Sequence, residues 1–242
     1  MYRLVKEVFL SMSSICIITA RGGSKRIPKK NIKDFNGKPM VSYAITTALK
    51  SGLFDEVMVS TDSEEIAEIA RQYGASVPFM RSAETANDFA TTADVINEVL
   101  DEYEKLGKHF DIINCLYPCT PLVTVERLTE GYQMIQSDDC DSVKVCIKFS
   151  SPPLRAYRMN EKGGMEYVNP QYATMRTQDF EPLYYDAGQF YFWKYDLYKG
   201  LKKGSGINKA IIVDDSEAQD VDNLSDWKLA EIKYKMLHID EQ

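Results

Sequence analysis

Histidine is scarce in this sequence, and its scarcity disfavours two kinds of site. Only His109 and His238 occur among the 242 residues, and neither lies near another obvious reactive cluster. Catalysis centred on a histidine base is therefore disfavoured, and so is a metal site built from several histidines. Long apolar runs are lacking as well. None approaches the ~18 residues of a membrane-spanning helix, so no membrane partner is expected.

Paired cysteine motifs are also lacking. The cysteines number five, an odd count, and contain no Cys-x-x-Cys, which argues against a disulfide scaffold and against a zinc ribbon. We expect them to be reduced, buried thiols in a cytoplasmic protein. The cysteines are Cys16, Cys115, Cys119, Cys140 and Cys146.

The chain has no excess of positive charge. It carries 29 Lys and Arg against 36 Asp and Glu, a formal net charge of −7. Proteins that wrap nucleic acid are usually basic, so no nucleic-acid partner is expected, and RNA binding is a weak alternative.

The length favours one domain with a small excursion, because it is about 1.6 times the ~150-residue size of a typical domain. Residues 1–12 lack the apolar region and cleavage site of a signal peptide. We interpret them as an extension before a single domain over residues 13–242, with Met12 as an alternative start.

Strand and helix patterns alternate along the first half of the chain, which predicts an α/β fold with a doubly wound, mainly parallel sheet. The run over residues 14–20 is continuously apolar and β-branched, as in a strand buried on both faces. Further strands are predicted over 56–61, 77–80, 111–116, 189–193 and 210–213. Helices are predicted over 40–49, 66–73, 95–103, 125–135 and 227–237.

The alternation stops between residues 142 and 185, where no helical pattern is visible. Residues 142–149 resemble a strand, two prolines follow, and residues 157–168 read as a hairpin around Lys162-Gly163-Gly164. We interpret residues 142–185 as a small β-rich excursion from the main sheet.

The strongest chemical signal is a basic loop directly after the first strand. Between Arg21 and Lys38 lie seven basic residues and one acid, Asp34, in a chain that is otherwise acidic. Two glycines allow a ligand to approach the backbone closely, and the carboxyl end of a parallel strand is where doubly wound sheets bind ligands. The loop therefore predicts a polyphosphate site. It lacks both Gly-x-x-x-x-Gly-Lys-Ser/Thr and Gly-x-Gly-x-x-Gly, and a solvated basic loop is the alternative.

The run Ala-Arg-Gly-Gly-Ser-Lys-Arg-Ile-Pro-x-Lys-Asn over residues 20–31 resembles the signature of the CMP-sialic acid synthetase (acylneuraminate cytidylyltransferase) family. The resemblance extends over about residues 14–237. Its further pieces are Phe35-x-Gly37-Lys38-Pro39-Met40, Val59-Ser60-Thr61-Asp62, Pro78-Phe79-x-Arg81, Pro118-x-Thr120-Pro121-Leu122, Arg176-x-Gln178-Asp179 and Asp220-Val221-Asp222.

This resemblance implies a Rossmann-like fold of the nucleotide-diphospho-sugar transferase type. It also implies a nucleotidyltransferase activity that requires Mg²⁺. The anomeric hydroxyl of a nine-carbon keto-sugar acid attacks the α-phosphate of CTP, and pyrophosphate leaves. The family further implies a homodimer in which the excursion mediates dimerisation and Arg176 acts on the partner's site.

Residue roles follow from the same resemblance, position by position. Arg21 and Lys25 match the residues that grip the triphosphate, and we expect them to be catalytic. The nucleotide-binding set is Ala20, Arg21, Gly22, Gly23, Ser24, Lys25, Lys30, Asn31 and Arg81. The sugar-binding set is Tyr117, Thr120, Arg176, Gln178, Tyr185 and Gln189.

Asp220 and Asp222 form the acidic partner of the basic loop. Aspartates at i and i+2 on an extended segment point to the same side, and two carboxylates suit Mg²⁺ that is shared with phosphates. The family's metal ligands match both positions, so we expect them to be catalytic and metal-binding. The alternative for Asp222 is that it begins the last helix. Asp62 is interpreted mainly as the cap of a helix, in a capping box with Glu65.

Departures from the sialic acid pattern point to one branch of the family. Residues 117–122 read Tyr-Pro-Cys-Thr-Pro-Leu where sialic acid enzymes usually have Gln-Pro-Thr-Ser-Pro-Leu. Asp186-Ala187-Gly188-Gln189-Phe190-Tyr191 and Asp88-Phe89 are similar to the pseudaminic acid branch. Pseudaminic acid is thus the expected acceptor. Sialic or legionaminic acid, an eight-carbon keto-acid and a non-catalytic nucleotide-binding module remain as alternatives.

Overall fold

A twisted sheet of six strands forms the centre of the structure, a computed structural model that describes residues 12–238. The strands of the described part are β1 Ser14–Thr19, β2 Asp34–Phe35, β3 Lys38–Pro39, β4 Glu56–Ser60, β5 Ile112–Leu116, β6 Ser142–Lys148, β7 Tyr157–Met159, β8 Met165–Tyr167, β9 Tyr184–Lys194 and β10 Asn208–Val213. The helices are α1 Met40–Ser51, α2 Glu64–Gln72, α3 Ala83–Ala86, α4 Thr92–Lys105, α5 Val125–Ile135, α6 Tyr195–Tyr198 and α7 Leu224–Leu237.

The sheet has the order β10-β6-β9-β5-β1-β4. Strand β1 pairs in parallel with β4 and β5, and β10 pairs in parallel with β6. Only β9 among these six runs antiparallel, inserted between β5 and β6. All side chains of β5 are buried, as expected for a strand covered by helices on both faces. The expected α/β, mainly parallel architecture is confirmed, and the five parallel strands end at one edge.

Apolar periodicity and local caps explain the helices. In α4, the buried Val95, Val99 and Tyr103 recur at helical spacing, and Thr91 caps the helix in a reciprocal capping box with Asp94. The final helix begins at Leu224, earlier than predicted, because Asn223 caps it. No helix within residues 12–238 is long and apolar enough to cross a membrane.

One predicted strand does not form. Residues 77–80 continue from a single parallel bridge between Met58 and Ser76 and then leave the sheet. Pro78 follows immediately, and proline has no N–H group to donate to a strand ladder. The prediction of a strand over 77–80 was therefore wrong.

The excursion is narrower than the predicted 142–185. Strand β6 lies inside the main sheet between β10 and β9, and β9 re-enters the sheet at Tyr184, so the segment outside the sheet spans residues 149–183. The predicted hairpin is confirmed as the antiparallel pair β7 and β8. Its surface exposes large apolar side chains, including Met159 at 72% and Met165 at 61%.

Of the predicted extension over residues 1–12, only Met12 falls within the described residues. It packs, partly buried, against the largest apolar cluster of the core. Two apolar clusters fill the two faces of the sheet. A third apolar cluster joins the basic loop to the acidic segment and α7, and it includes Ile27, Phe35, Val221 and Trp227.

Phe35 is the centre of this third cluster. It is fully buried, and its ring meets the rings of Tyr43, Trp227 and Tyr234 edge to face at 5.3–5.7 Å. We expect Phe35→Ala to lower the free energy of unfolding in urea by about 3–5 kcal/mol, because it leaves a cavity among these rings. Phe89→Ala is the control, since that ring is 93% exposed, and should change stability by less than about 0.5 kcal/mol. Equal effects of both substitutions would contradict the assignment of this cluster to the core.

Candidate active site

A cavity of about 340 Å³ opens at the edge where the parallel strands end, a size typical of small-molecule sites. Thr19 ends β1, Pro118 follows β5, and Asp222 precedes α7, so three distant parts of the chain meet here. The lining residues are Thr19, Arg21, Ser24, Lys25, Arg26, Lys30, Asn31, Pro118 and Asp222. The structure thus brings five of the predicted nucleotide-binding residues together with one predicted metal ligand.

The start of the basic loop is held by Asp62. The Gly22 N–H group donates to Asp62 Oδ1 at 2.7 Å, and a Cβ on Gly22 would lie 3.0 Å from the Ser63 Cβ. A larger residue at position 22 would therefore crowd Ser63, which glycine avoids. The prediction that Asp62 caps α2 is wrong, because the helix begins at Glu64 and Ser63 occupies the capping position. Asp62 instead fixes the loop to the end of β4.

Residues 21–31 are the part of the basic loop that contributes to the cavity, and Lys30 and Asn31 hold the end of this part. Lys30 Nζ donates to the Val221 carbonyl at 2.6 Å, which joins the basic loop to the acidic segment. The buried Asn31 donates to the Arg21 carbonyl at 2.8 Å and accepts from the Cys119 thiol at 3.2 Å. Burial raises the pKa of Cys119 to about 12, so this thiol stays protonated and can donate. Lys30 and Asn31 both line the cavity, but these contacts also give them a structural role.

The other cations of the cavity are paired with acids of this chain. Arg21 Nη1 donates to Asp88 Oδ1 at 2.9 Å, and Lys25 Nζ donates to the second oxygen of the same carboxylate. Arg26 Nη2 meets Asp222 Oδ1 at 2.6 Å. Two carboxylates therefore partly neutralise these three cations.

Asp220 and Asp222 flank Val221, which is 1% exposed. Burial raises the pKa of Asp220, and the negative charge of Asp222 raises it further. The positive charge of Lys30 opposes the shift. The two carboxylates therefore lie close enough to repel each other, which suits a shared cation. The alternative interpretation, that Asp222 begins the last helix, is wrong, because α7 begins at Leu224 and Asn223 caps it. Among residues 12–238 no group of three or more His, Cys, Asp or Glu side chains is arranged for a metal.

Two other predicted nucleotide contacts lie behind the cavity. Arg81 is buried, and its guanidinium donates to the Ser60 hydroxyl at 3.0 Å and the Ser60 carbonyl at 2.7 Å. Burial lowers its pKa, and the charges of Asp62 and Glu98 oppose that shift. The Ala20 N–H group also donates to the Ser60 carbonyl. In this conformation both residues fix the end of β4, whereas Gly23 has open space around its α-carbon.

Three of the predicted sugar-binding residues lie at the end of β5 and on the neighbouring β9. The Tyr117 hydroxyl lies 3.1 Å from the Thr92 hydroxyl, and the Tyr117 ring packs 5.5 Å from the Tyr191 ring. Thr120 donates to the Tyr117 carbonyl at 2.6 Å, and the buried Gln189 donates to the Glu217 carbonyl at 2.8 Å. None of the three lines the main cavity, although Pro118, directly after Tyr117, does.

The remaining three sugar-side residues lie in the excursion or at the start of β9, which follows it. Arg176 pairs with Asp179 through two hydrogen bonds of 2.8 and 3.0 Å. Gln178 lines a separate cavity of about 440 Å³ within the excursion. Tyr185 packs its ring 4.8 Å from Phe149. None of the three is among the residues that line the main cavity.

Sequence reasoning missed Arg26, Asp62 and Asp88 as parts of the site. Asp62 stands directly after β4, the neighbour of β1, and its place at a strand end was a usable signal. Arg26 belonged to the predicted basic loop but was given no role. Asp88 was noticed only as a mark of one branch, and nothing in the sequence pairs it with residues more than sixty positions away.

Comparisons with known proteins agree on one family. A sequence-family profile described as Cytidylyltransferase matches residues 15–191. The chain is 36% identical over 232 residues to the pseudaminic acid cytidylyltransferase of Campylobacter jejuni, covering 94% of this chain and 98% of that protein. It is 31% identical to the CMP-N,N'-diacetyllegionaminic acid synthase of Legionella pneumophila, covering 96% and 99%. The solved CMP:2-keto-3-deoxy-manno-octonic acid synthetase complexed with CTP shares the fold, with a TM-score of 0.66 at 21% identity over 95% of this chain and 100% of that one.

The contact between Asp62 and Gly22 generates a testable prediction. Asp62→Ala and Asp62→Asn both remove the charge, but only asparagine keeps an oxygen that accepts from the Gly22 N–H group. We expect CTP to bind about fivefold more weakly to Asp62→Ala than to Asp62→Asn, the equivalent of one hydrogen bond of about 1 kcal/mol. Isothermal titration calorimetry measures both dissociation constants.

Asp55 supplies the matched control at the opposite end of the same strand. Its carboxylate accepts from the Ser14 N–H group at 2.8 Å, far from the cavity. Asp55→Ala and Asp55→Asn should bind CTP equally well. If the two Asp62 variants also bind CTP equally, Asp62 does not hold the loop for the nucleotide.

Proposed function

This chain belongs to the cytidylyltransferase family, and we propose that it transfers CMP from CTP to the anomeric hydroxyl of a nonulosonic acid, with pseudaminic acid as its preferred acceptor. The observation that carries the proposal is the meeting of Arg21, Lys25 and Lys30 with Asp222 in one cavity at the carboxyl edge of the sheet. A polyanion and a cation fit such a site together.

The reaction requires charge neutralisation more than covalent help from the protein. The anomeric hydroxyl gives up its proton to a phosphate oxygen, a water or Asp220, and its oxygen forms a bond to the α-phosphorus of CTP. The bond from that phosphorus to the β-phosphate oxygen breaks, and pyrophosphate leaves. Arg21 and Lys25 neutralise the triphosphate, and Arg21 is suited to hold two phosphate oxygens at once. Lys30 keeps the acidic segment at a fixed place beside them.

Asp220 and Asp222 would hold Mg²⁺, a hard cation that takes few protein oxygens and keeps the rest of its ligands from phosphates and water. Bound there, the ion would neutralise charge on the phosphates. The repulsion that helps raise the pKa of Asp220 supports this fit.

The choice of acceptor sugar is argued from the pair of rings formed by Tyr117 and Tyr191. The Tyr117 ring packs on the Tyr191 ring and directly precedes Pro118, which lines the cavity, and a pair of aromatic rings there suits a deoxygenated, N-acylated sugar acid such as pseudaminic acid. The relative from Legionella pneumophila makes legionaminic acid the second candidate. The reaction belongs to the cytoplasm on this proposal, since all five cysteines are buried free thiols.

The test incubates the protein with CTP, Mg²⁺ and a panel of pseudaminic, legionaminic and N-acetylneuraminic acids, and identifies the products by mass. We expect CMP-pseudaminate with the highest kcat/KM and one pyrophosphate released per transfer. Equal or better turnover of N-acetylneuraminate would overturn the acceptor assignment. Absence of pyrophosphate release with every acid would instead favour a nucleotide-binding module.

Asp220→Ala should abolish transfer at saturating Mg²⁺, because it removes half of the carboxylate pair, while the circular dichroism spectrum stays unchanged. Asp139→Ala is the matched control, since this exposed carboxylate pairs with Lys209 and precedes β6 at the opposite edge of the sheet. It should keep full activity. Full activity of Asp220→Ala would refute its role.

We also propose a homodimer in which Arg176 completes the site of the partner subunit. Arg176 is not among the residues that line the cavity of its own chain, and the excursion that carries it exposes Met159 and Met165. Apolar surface of this kind is typical of a contact between subunits.

Mixing two inactive variants tests this arrangement. If Arg176 acts in trans, equal amounts of Arg176→Ala and Asp220→Ala subunits, exchanged at random, should regain about a quarter of the wild-type activity, because half of the dimers are mixed and each has one intact site. If Arg176 acts within its own subunit, the mixture stays inactive. Sedimentation of the wild-type protein checks that it is dimeric.

A further inference from the structure

The two cations that our proposed function assigns to the triphosphate share one carboxylate of this chain. Asp88 Oδ1 accepts from Arg21 at 2.9 Å, and Asp88 Oδ2 accepts from Lys25. Arg21 also donates to the Asn87 carbonyl at 3.2 Å. Asp88 therefore presents two anionic oxygens to the same groups that a phosphate would contact.

We propose that Asp88 is a built-in competitor for phosphate in this site. It pairs with both Arg21 and Lys25 before the nucleotide binds, is displaced by the triphosphate, and returns to the two cations as pyrophosphate leaves. This inference rests on the proposed function and adds to it a residue that sets the affinity for CTP and the release of pyrophosphate.

The loop around Asp88 is built so that its side chain can leave without unfolding the backbone. The Asn87 side chain accepts from the N–H groups of Phe89 and Ala90 at 2.7 and 3.0 Å, and donates to the Glu84 carbonyl at 2.7 Å. These hydrogen bonds do not involve Asp88. Phe89 is 93% exposed, so no apolar packing ties the tip of the loop to the protein.

Solvent exposure and charge favour the triphosphate over the Asp88 carboxylate as the partner of Arg21 and Lys25. The side chains of Asp88, Arg21 and Lys25 are 42%, 38% and 78% exposed, and ion pairs in such surroundings are weak. A triphosphate brings several negative charges and can bind Arg21 through two oxygens, so it displaces the single carboxylate. Hydrogen bonds from Lys25, and then from Arg21, lower the pKa of Asp88. The carboxylate is therefore ionised at neutral pH, as an ordinary aspartate is.

The same competition favours release of the product. Pyrophosphate that remains on Arg21 and Lys25 blocks the next CTP, and the nearby carboxylate offers these cations a partner as soon as pyrophosphate begins to leave. Loss of Asp88 should therefore tighten the binding of substrate and product alike.

The experiment measures binding of CTP and of inorganic pyrophosphate to Asp88→Asn by isothermal titration calorimetry, with and without Mg²⁺. We expect both dissociation constants to fall by about threefold to tenfold, because one competing negative charge has been removed beside several phosphate charges. The difference from wild type should shrink at high salt, which screens exposed charges. In turnover, the KM for CTP should fall and inhibition by pyrophosphate should become stronger.

Two variants control for other effects of the substitution. Asp88→Glu keeps the charge and should stay within about twofold of wild type in both dissociation constants. Asp139→Asn removes an exposed, lysine-paired carboxylate remote from the cavity and should not change them. Thermal unfolding of Asp88→Asn should match wild type, since its backbone loop is held by Asn87.

Three results decide the matter. Unchanged affinities in Asp88→Asn would overturn the proposal. Weaker binding would also overturn it, and would make Asp88 a positioning residue that holds the two cations ready for phosphate. If wild-type protein binds neither CTP nor pyrophosphate, the proposed function itself fails, an outcome distinct from the first two.

Discussion

The burial of Ile27 and Val221 in one apolar cluster is the constraint on which the active site depends. Ile27 lies in the middle of the basic loop, and Val221 separates Asp220 from Asp222. With Phe35 and Trp227 they form a core that water does not reach. Hydrophobic burial is non-directional, but close packing fixes distances, so the cluster sets how far the cations lie from the carboxylates.

Hydrogen bonds also fix the position of the basic loop. Lys30 reaches the Val221 carbonyl, Asn31 reaches the Arg21 carbonyl, and Asp62 holds the Gly22 N–H group. The loop is thereby fixed at both ends while its charged middle stays open to the cavity. Without such anchors, repulsion among the cations of the loop would favour many conformations, and ordering them would weaken ligand binding.

Charges of both signs are paired locally at the site, although the whole chain is acidic. The net charge of −7 describes an average. At the site, Asp88 pairs with two cations, and Arg26 pairs with Asp222. A triphosphate and a metal ion would replace these internal partners by stronger ones, so binding becomes an exchange of ion pairs. Such an exchange keeps the cations of the site paired with an anion at every stage.

The sequence by itself determined the parallel sheet, the basic loop after β1 and the acidic pair before α7, because continuous apolar runs and clustered charges are local properties of a chain. Tertiary structure alone decided which side chains meet. Asp62 binds Gly22 rather than capping α2, β6 joins the main sheet, and Asp88 lies against Arg21 and Lys25. Each of these contacts joins residues distant in sequence, and no local pattern specifies them, since they arise from the packing of whole strands and loops.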